Sequence, residues 1–351
     1  MPKRVSNLIE KIASMENLRE AYKKTSKNKL SSYGYLEFKE YSELNLLLIR
    51  EELLNGTYKI GPYRHFTIYE PKQRLISALS FKDRLVQHAL CNIIEPMMDK
   101  TLLPYTFACR KNLGLHAGVK HIQSLLRKTN CSHFLKLDIK SFFASIPRNI
   151  INDLYARKIK CPDTLKLIAE IIPPDGIGIP IGSLTSQISA NLIGGILDNY
   201  IHHELKCKYW ARYMDDVVIL GNDPNELRNI FFKIQEFIQL KLNMKISKWF
   251  VNSVKQGINF LGFRIWKTHK LLRKGSVIGA KRKIKTSLKN NDNDTLNKFL
   301  SSWIGHAKWS DSRNLINNLN KIFINSNKQI YDYHSWLVEK FKPDNNLLIT
   351  V

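Results

Sequence analysis

Length, composition and charge exclude several classes of protein before any motif is considered. The 351 residues are 44% hydrophobic and 24% charged, which fits a folded protein with a substantial core and excludes a disordered chain. Lysine and arginine total 55 against 30 acidic residues, and the resulting net charge of +25 predicts a polyanionic partner, nucleic acid first. No apolar run approaches the roughly 18 residues of a membrane span, and the start lacks the apolar core of a signal peptide. These features predict a cytoplasmic protein with no membrane partner.

The cysteines give no indication of a metal site or of disulfides. The five are widely separated, form no CxxC pair and are odd in number. We expect reduced thiols.

The first 130 residues are predicted to be basic and mainly helical. Apolar residues at helical spacing predict an amphipathic helix over about residues 6–29, within an N-terminal extension of residues 1–30. Residues 31–130 combine a helix closed by Gly56, a strand over YRHFTIYE and further helices rich in Arg and Lys. They are predicted to form one mixed domain.

The middle of the chain predicts a sheet that carries carboxylates. HFLKLDIKSFF alternates so that Leu135 and Leu137 share one face and Asp138 lies on the other, away from the core. After a helix around residues 151–172 and a breaker run comes a long helix with Ser/Thr capping candidates. WARYMDDVVILGND then predicts a hairpin with two further aspartates at its tip.

The C-terminal part is predicted to be a separate basic domain. GINFLGFRIW is expected to complete the sheet, so that a sheet domain spans residues 131–265. Residues 267–289 contain nine Lys or Arg and no acid. Helices begin near a candidate cap at Asp294 and continue to about Phe341, which predicts a helical domain over residues 266–351.

Three aspartates form the strongest candidate for chemistry: Asp138, Asp215 and Asp216. Phosphoryl transfer needs charge neutralisation, and two magnesium ions, which prefer hard oxygen ligands, supply it. Taken alone, each motif fits a turn or an ion pair equally well. Their order in a chain of +25 predicts a two-metal nucleotidyl-transfer site.

The same motifs resemble those of reverse transcriptases. YMDD at residues 213–216 resembles their YxDD box, LKLDIKSFFASI resembles their preceding metal-binding motif, and the likeness extends from about Tyr58 to Ala307. It implies an α+β right hand with fingers (31–130), an antiparallel palm sheet backed by helices (131–265) and a helical thumb (266–351). The implied activity is that of an RNA-directed DNA polymerase. Its implied ligands are two Mg²⁺ ions, for which Mn²⁺ could substitute, held by the three aspartates and the Ile139 carbonyl.

The resemblance also implies which residues bind substrates. The implied nucleotide-binding residues are Lys72, Arg74, Phe143, Ile181, Gly182 and Gln187. Phe143 matches the position that excludes a ribose 2′-OH, although one of Phe142 and Phe143 could simply be a core ring. The implied template and primer contacts are Arg110, His116, Tyr213, Met214, Leu261, Gly262, Lys281, Arg282 and Lys283. Arg110 and His116 could instead face solvent.

One subtype of reverse transcriptase matches further. The loop IPIGSLTSQ has Ile181 where many reverse transcriptases have glutamine. Together with EPKQRLISA, DRLVQHALCNIIEPM, YTFACRKNLG and SSWIGHA, it resembles enzymes of diversity-generating retroelements. This resemblance implies error-prone copying of a template RNA into cDNA, with mistakes opposite adenine. The implied partners are template RNA, nascent cDNA, deoxynucleotides and an accessory variability protein.

Three alternatives remain open at this stage. A defence-associated or retron-like reverse transcriptase would share the catalytic acids and differ in biological output. An RNA-templated RNA polymerase would share them too, although Phe143 argues against it. A nucleic-acid-binding scaffold without catalysis would not need all three acids.

Overall fold

A computed structural model of the chain describes residues 4–69 and 73–324. Lys72 and the helices expected beyond Ile324 lie outside these residues. The structure divides into two compact units. The first contains the described residues up to Gly118 and those from Cys131 to Asn252, and the second contains Val119–Asn130 and the described residues from Ser253 onward.

Helices make up most of both units. They are α1 (Leu8–Ile12), α2 (Met15–Ser26), α3 (Tyr33–Glu40), α4 (Ser42–Leu54), α5 (Phe81–Asp99), α6 (Leu115–Lys128), α7 (Phe142–Ser145), α8 (Arg148–Ala156), α9 (Pro162–Ile171), α10 (Leu184–Asn199), α11 (Pro224–Leu242), α12 (Lys274–Lys289), α13 (Asn293–Ala307) and α14 (Arg313–Ile324). A single π-helical turn, Tyr200–Glu204, extends α10. In the described residues, no helix is long and apolar enough to cross a membrane.

The strands form three separate sheets. They are β1 (Arg64–Ile68), β2 (Arg74–Ala78), β3 (His133–Ile139), β4 (Trp210–Tyr213), β5 (Asp216–Gly221), β6 (Ile246–Ser253), β7 (Ile258–Phe260), β8 (Phe263–Ile265) and β9 (Lys270–Leu272). The central sheet has the order β4-β5-β3-β6, and β5 is antiparallel to both β3 and β4. A two-stranded β1–β2 hairpin and a β7–β8–β9 sheet, both antiparallel, are the other two sheets of the described residues. The predicted α+β class is confirmed.

The central sheet forms as the alternation in the sequence predicts. In β3, Leu135 and Leu137 are buried, while Lys136 between them and Asp138 after them are only half-buried. Apolar side chains of α10 and α11 belong to the same core as β3 and β5. Because successive residues of a strand point to opposite faces, burial of the leucines brings Asp138 to the accessible face.

The structure corrects the predicted role of GINFLGFRIW. These residues form β7 and β8 of the three-stranded sheet in the second unit, and do not complete the central sheet. The fourth central strand is instead β6, whose sequence ISKWFVNS mixes polar and aromatic residues and was not predicted as a strand. The chain passes from the first unit to the second near Asn252, and the predicted four-part division into functional domains stays a prediction.

Local signals explain the other differences. The predicted helix over residues 6–29 breaks into α1 and α2 because the Ser14 side chain accepts a hydrogen bond from the backbone N–H of Asn17 and caps a new helix. Pro162 starts α9 and so divides the helix predicted over residues 151–172. Asp292, and not Asp294, caps α13.

The predicted Ser/Thr cap of the long helix is also wrong in detail. Ser183 occupies the N-cap position of α10, but its hydroxyl donates to Gln87 Oε1 at 2.9 Å and does not cap the helix. The Gln87 side chain also accepts from the Leu184 N–H at 3.0 Å. A side chain of α5 therefore caps α10.

Candidate active site

The β4–β5 hairpin brings the three predicted aspartates together. Asp216 is paired with Asp138 in the register of β5 and β3, so these two side chains leave the same face of the sheet about 5 Å apart at Cβ. Asp215 precedes Asp216 in a tight turn in which Met214 adopts the left-handed conformation, with φ of 55°. The N–H of Ile139 donates to the Asp215 carbonyl at 3.1 Å and joins this turn to β3.

Mutual repulsion and burial destabilise the charge on Asp215. Its pKa is raised above the ordinary aspartate value, first by burial and then by the negative charges of Asp138 and Asp216. Arg74, on β2, acts in the opposite direction. A carboxylate held in this state favours a positive ligand, because a cation would relieve both the repulsion and the desolvation.

The other two carboxylates are partly engaged by neighbouring side chains. Lys136, two residues before Asp138 on the same face of β3, forms an ion pair with Asp216. The hydroxyl of Ser247 in β6 donates to Asp138 Oδ1 at 2.8 Å. Asp215 differs from Asp216, because its carboxylate has no ion pair among the described residues.

A fully buried ion pair supports the hairpin from behind. Arg212 in β4 and Asp198 in α10 each have a side-chain exposure of 0%, and two nitrogens of the guanidinium contact the carboxylate oxygens at 2.7 Å. A third nitrogen of Arg212 donates to the Met214 carbonyl at 3.0 Å. Thr106 donates to Asp198 at 2.6 Å and completes the network. Arg212 therefore holds the left-handed residue immediately before Asp215.

Gly194 in α10 leaves room for that guanidinium. A Cβ at this position would lie 2.2 Å from Arg212 Nη1, and the guanidinium is fixed by its hydrogen bonds. Any larger residue would push Arg212 away from Asp198. This close approach explains a glycine inside a helix, where it is otherwise unfavourable.

The loop before α10 lies against the β1–β2 hairpin. The N–H of Ser77 in β2 donates to the Ile181 carbonyl at 2.9 Å. Gly182 has φ of 116°, and a Cβ there would lie 2.9 Å from the Ser77 carbonyl oxygen. The predicted nucleotide-binding residues Ile181 and Gly182 thus contact β2, the strand that begins at Arg74. Gln187 follows on α10 and is half-buried.

The structure distinguishes the two adjacent phenylalanines. Phe142 is 4% exposed and belongs to the core, while Phe143 is half-buried and meets it edge to face, with the ring centroids 6.0 Å apart. The Phe143 carbonyl accepts from the Ile179 N–H at 2.9 Å, which ties it to the loop before α10. Phe142 is therefore the core ring.

The family of the chain follows from a comparison with known sequences. Residues 69–265, more than half of the chain and including the three aspartates, match the family described as reverse transcriptase (RNA-dependent DNA polymerase). The chain belongs to the reverse transcriptase family. Its enzymatic activity is that of an RNA-directed DNA polymerase.

Individual relatives of this reverse transcriptase are distant. Protein YkfC of Escherichia coli is 23% identical, over 69% of this chain and 75% of that protein. The putative COX1/OXI3 intron 2 protein of Saccharomyces cerevisiae is 22% identical, over 72% of this chain and 38% of its own length. The group II intron-encoded protein LtrA of Lactococcus lactis is 25% identical, over 48% of this chain and 30% of its own length. The chain thus spans well under half of the intron proteins that it matches.

A solved structure of telomerase from Candida albicans, in complex with a fragment of telomeric RNA, is also similar. It has 11% sequence identity and a TM-score of 0.46, and the match covers 68% of this chain and 52% of the telomerase chain.

The predicted template contacts of the reverse transcriptase have varied surroundings. Arg110 is occupied inside the protein: its guanidinium pairs with Asp99 at 2.5 Å and donates to the carbonyls of Leu103 and Thr106. His116 is half-buried on α6, and Tyr213 and Met214 form the hairpin turn. Arg110 therefore has an architectural role, and its contact with template stays a prediction.

The remaining predicted contacts lie in the second unit. Leu261 and Gly262 form the β7–β8 turn, both with positive φ. Lys281 and Arg282 are exposed on α12, whereas the Lys283 ammonium lies 5.0 Å from the centroid of the Phe299 ring. The structure shows where these residues lie, and their nucleic-acid contacts stay predictions.

The acidic residues fit a divalent cation, the kind of ion that reverse transcriptases in general use. Across residues 4–69 and 73–324, no three or more His, Cys, Asp or Glu side chains are already arranged as a metal cluster. The Asp216 carboxylate is instead engaged by Lys136. Asp138 and Asp215 nevertheless present hard oxygen donors in mutual repulsion, which is the donor chemistry that Mg²⁺ prefers.

Several residues that support the site are not predicted by the sequence motifs. Lys136 could have been found, because it precedes Asp138 by two residues in a strand and therefore shares its accessible face. Arg212 could have been found as a charge inside an apolar strand, which requires a buried partner. No sequence signal identifies Asp198 as that partner or Ser247 as a neighbour of Asp138, because both contacts depend on how distant segments pack.

Proposed function

We propose that this reverse transcriptase copies a template RNA into cDNA with frequent errors opposite adenine, for targeted sequence diversification. The observation that carries the proposal is Ile181. Its backbone carbonyl accepts a hydrogen bond from the N–H of Ser77 in β2, the strand that also carries Arg74. Residue 181 therefore lies where the loop meets the β1–β2 hairpin. Glutamine, the residue of many related enzymes, would offer an amide there.

The physical reason for errors lies in what isoleucine lacks. A glutamine amide can hydrogen-bond the incoming nucleotide or its neighbours, and a mismatched pair would leave such a bond unmade. The branched apolar side chain of Ile181 makes no such bond. Selection then depends on pairing and shape alone, so mismatches are rejected less strongly.

The proposed catalytic roles follow the arrangement of the carboxylates. Asp138, Asp215 and the Ile139 carbonyl would hold two Mg²⁺ ions, with Asp216 assisting. Bound there, the ions would neutralise charge on the triphosphate and favour the ionised 3′ oxygen of the primer. Arg74 and Lys72 would bind phosphates, and the Arg212 network would keep Asp215 in place.

The proposed partners are those of a diversifying polymerase. Deoxynucleotides, template RNA and nascent cDNA are its substrates and products, and a basic accessory variability protein would act with it. The exposed cations of α12 and the β7–β8 turn would contact the template-primer duplex, chiefly at phosphates.

The test compares the wild type with Ile181→Gln and Asp215→Ala. Each would be supplied with Mg²⁺, deoxynucleotides and an adenine-containing RNA template, and the cDNA would be sequenced. We expect the wild type to misincorporate opposite adenine, Ile181→Gln to reduce these errors about tenfold, and Asp215→Ala to yield no product.

Each contrary result removes a different part of the proposal. Faithful wild-type product would retain the polymerase and reject diversification. Unchanged errors in Ile181→Gln would remove this residue from the explanation. Because an accessory protein and cognate RNA can be required, a reaction without product would be repeated with both supplied.

A further inference from the structure

Helix α4 carries apolar residues on both of its faces. Leu46 and Ile49 point into the core and are 1% exposed, as expected for a surface helix. Leu44, Leu47 and Leu48 on the other side are 56%, 46% and 50% exposed. A helix with one solvated face normally presents polar residues there, whereas a helix that is apolar on both sides is usually covered on both. Three adjacent exposed leucines therefore indicate a covered surface.

The spacing of the leucines fits a helical partner. Leu44, Leu47 and Leu48 have the i, i+3, i+4 spacing of one helical face, and Leu54, 38% exposed, continues it beyond Glu51. We call Leu44, Leu47, Leu48, Glu51 and Leu54 the α4 stripe. A stripe of this form accepts the apolar side of another amphipathic helix, as in coiled coils and helix-in-groove recognition.

The charge around the stripe is opposite to that of the whole protein. Residues 33–54 contain five glutamates against one lysine and one arginine, in a chain with a net charge of +25. Two of these glutamates are already paired, Glu43 with Arg19 and Glu52 with Lys82. Within the described residues, Glu51, in the middle of the stripe, is exposed and has no ion pair.

We propose that the α4 stripe is a docking site for a basic amphipathic helix of another protein. The leucines would supply apolar contact, and Glu51 would meet a lysine or arginine of the partner. The local acidity disfavours nucleic acid and anionic lipid, which need a basic surface. A second copy fits poorly, because an isologous contact would oppose two such acidic surfaces on two strongly basic chains. The proposal does not depend on the error-prone copying proposed above.

A designed peptide pair provides the probe. One synthetic 21-residue helix would place leucines at i, i+3, i+4 and i+7 and lysines elsewhere, and its matched control would carry glutamates in place of the lysines. Binding to the full chain would be measured by fluorescence anisotropy at low and moderate salt. We expect the basic peptide to bind and the acidic peptide to bind at least about tenfold more weakly.

Matched variants locate the binding. Leu47→Gln with Leu48→Gln, and separately Glu51→Lys, should each weaken the basic peptide by about tenfold or more. The controls are Leu240→Gln and Glu236→Lys, an exposed leucine and an exposed glutamate on α11, and these should leave affinity unchanged. All four variants should retain wild-type cDNA synthesis, since none alters the active site.

A photo-crosslinker in place of Leu47 identifies the occupant. Crosslinks to the added basic peptide would support the proposal. Crosslinks between two copies, or to another segment of the same chain, would replace it by self-association or by internal cover. Equal binding of both peptides, no binding of either, or an unchanged affinity in the α4 variants would overturn it.

Discussion

The charged residues on the two sides of the β4–β5 hairpin differ in whether their charge is compensated. Behind the hairpin, Arg212 and Asp198 have no exposed surface, and both oxygens of the carboxylate are bonded. In front of it, Asp215 is half-buried beside two other negative charges, and its pKa is raised. The hairpin thus joins a satisfied charge pair to an unsatisfied carboxylate.

This contrast separates architectural from chemical residues. The Asp198 carboxylate is buried and both of its oxygens already accept hydrogen bonds, so it has no free oxygen to bind a ligand. Its role is therefore structural. A carboxylate left in repulsion by its own protein retains binding capacity for a cation or a proton. The most functional acid of the hairpin should therefore also be the least favourable one for stability.

The largest effect is expected from Asp215→Asn, which tests this contrast directly. Removal of a negative charge from the front of the hairpin should lower cDNA synthesis by about three orders of magnitude or more. The same change should raise the free energy of unfolding in EDTA, on the order of 1 kcal/mol, because the repulsion with Asp138 and Asp216 disappears. Primer extension and denaturant unfolding measure the two effects.

The pH dependence gives the control for that prediction. The folded-state pKa of Asp215 is raised, so its ionised form destabilises the fold at neutral pH, and this destabilisation disappears as the pH falls through the folded-state pKa. The stability advantage of Asp215→Asn should therefore shrink on acidification. An asparagine variant that is less stable than the wild type at pH 7 would break the comparison.

The second prediction concerns the back of the hairpin. Arg212→Met leaves Asp198 buried without its partner and should lower the free energy of unfolding by about 3–5 kcal/mol. The turn before Asp215 also loses its bond to the Met214 carbonyl, so surviving protein should be less active. Asp198→Asn leaves the Arg212 cation buried without a counter-charge and should lower the stability by a similar amount.

An exposed ion pair is the matched control. Arg19 and Glu43 also form a two-point arginine–carboxylate contact, but their side chains are 55% and 60% exposed. Arg19→Met should leave the unfolding midpoint unchanged, since solvent screens such pairs. Equal losses in Arg19→Met and Arg212→Met would show that burial does not determine the strength of these pairs.

The sequence predicts the front of the hairpin much better than its back. Asp138, Asp215 and Asp216 stand in short patterns that local rules read directly: alternation in β3 and a turn between two apolar arms. Hydrophobic periodicity depends only on residues that are close in sequence. The helix breaks at Ser14 and Pro162 are also local: periodicity did not predict them, but helix capping explains them.

The back of the hairpin depends on contacts between distant segments. Arg212 meets Asp198 across the packing of a strand on a helix, and Gly194 is required only because of that meeting. The same limit explains why GINFLGFRIW was assigned to the wrong sheet. Its alternation correctly predicts strands, but the partner of an edge strand is decided by tertiary packing.

The third prediction extends the comparison to two neighbouring rings. Phe142 is a core residue, and Phe143 is the more accessible of the two. Phe143→Ala should reduce the preference for deoxynucleotides over ribonucleotides by about 10- to 100-fold, since the ring would no longer meet a 2′-OH. Phe142→Ala should instead lower stability by about 3–5 kcal/mol and leave this preference unchanged. Single-nucleotide incorporation kinetics with both sugars decide between the two outcomes, and an unchanged preference in Phe143→Ala would remove its proposed role.

The smallest effect is expected at α12, where an exposed cation without a partner can be compared with a cation that already has one. Lys281 and Arg282 are exposed and have no ion pair within the described residues, whereas Lys283 lies over the Phe299 ring. If unsatisfied charges serve ligands, Lys281→Gln and Arg282→Gln should each weaken template-primer binding a few-fold and reduce the slope of log affinity against log salt by about 1. Lys283→Gln should change this slope less, because part of its charge already interacts with the ring. Titrations at several salt concentrations measure the slopes, and equal slopes for all three variants would show that this contrast does not extend to the cations of α12.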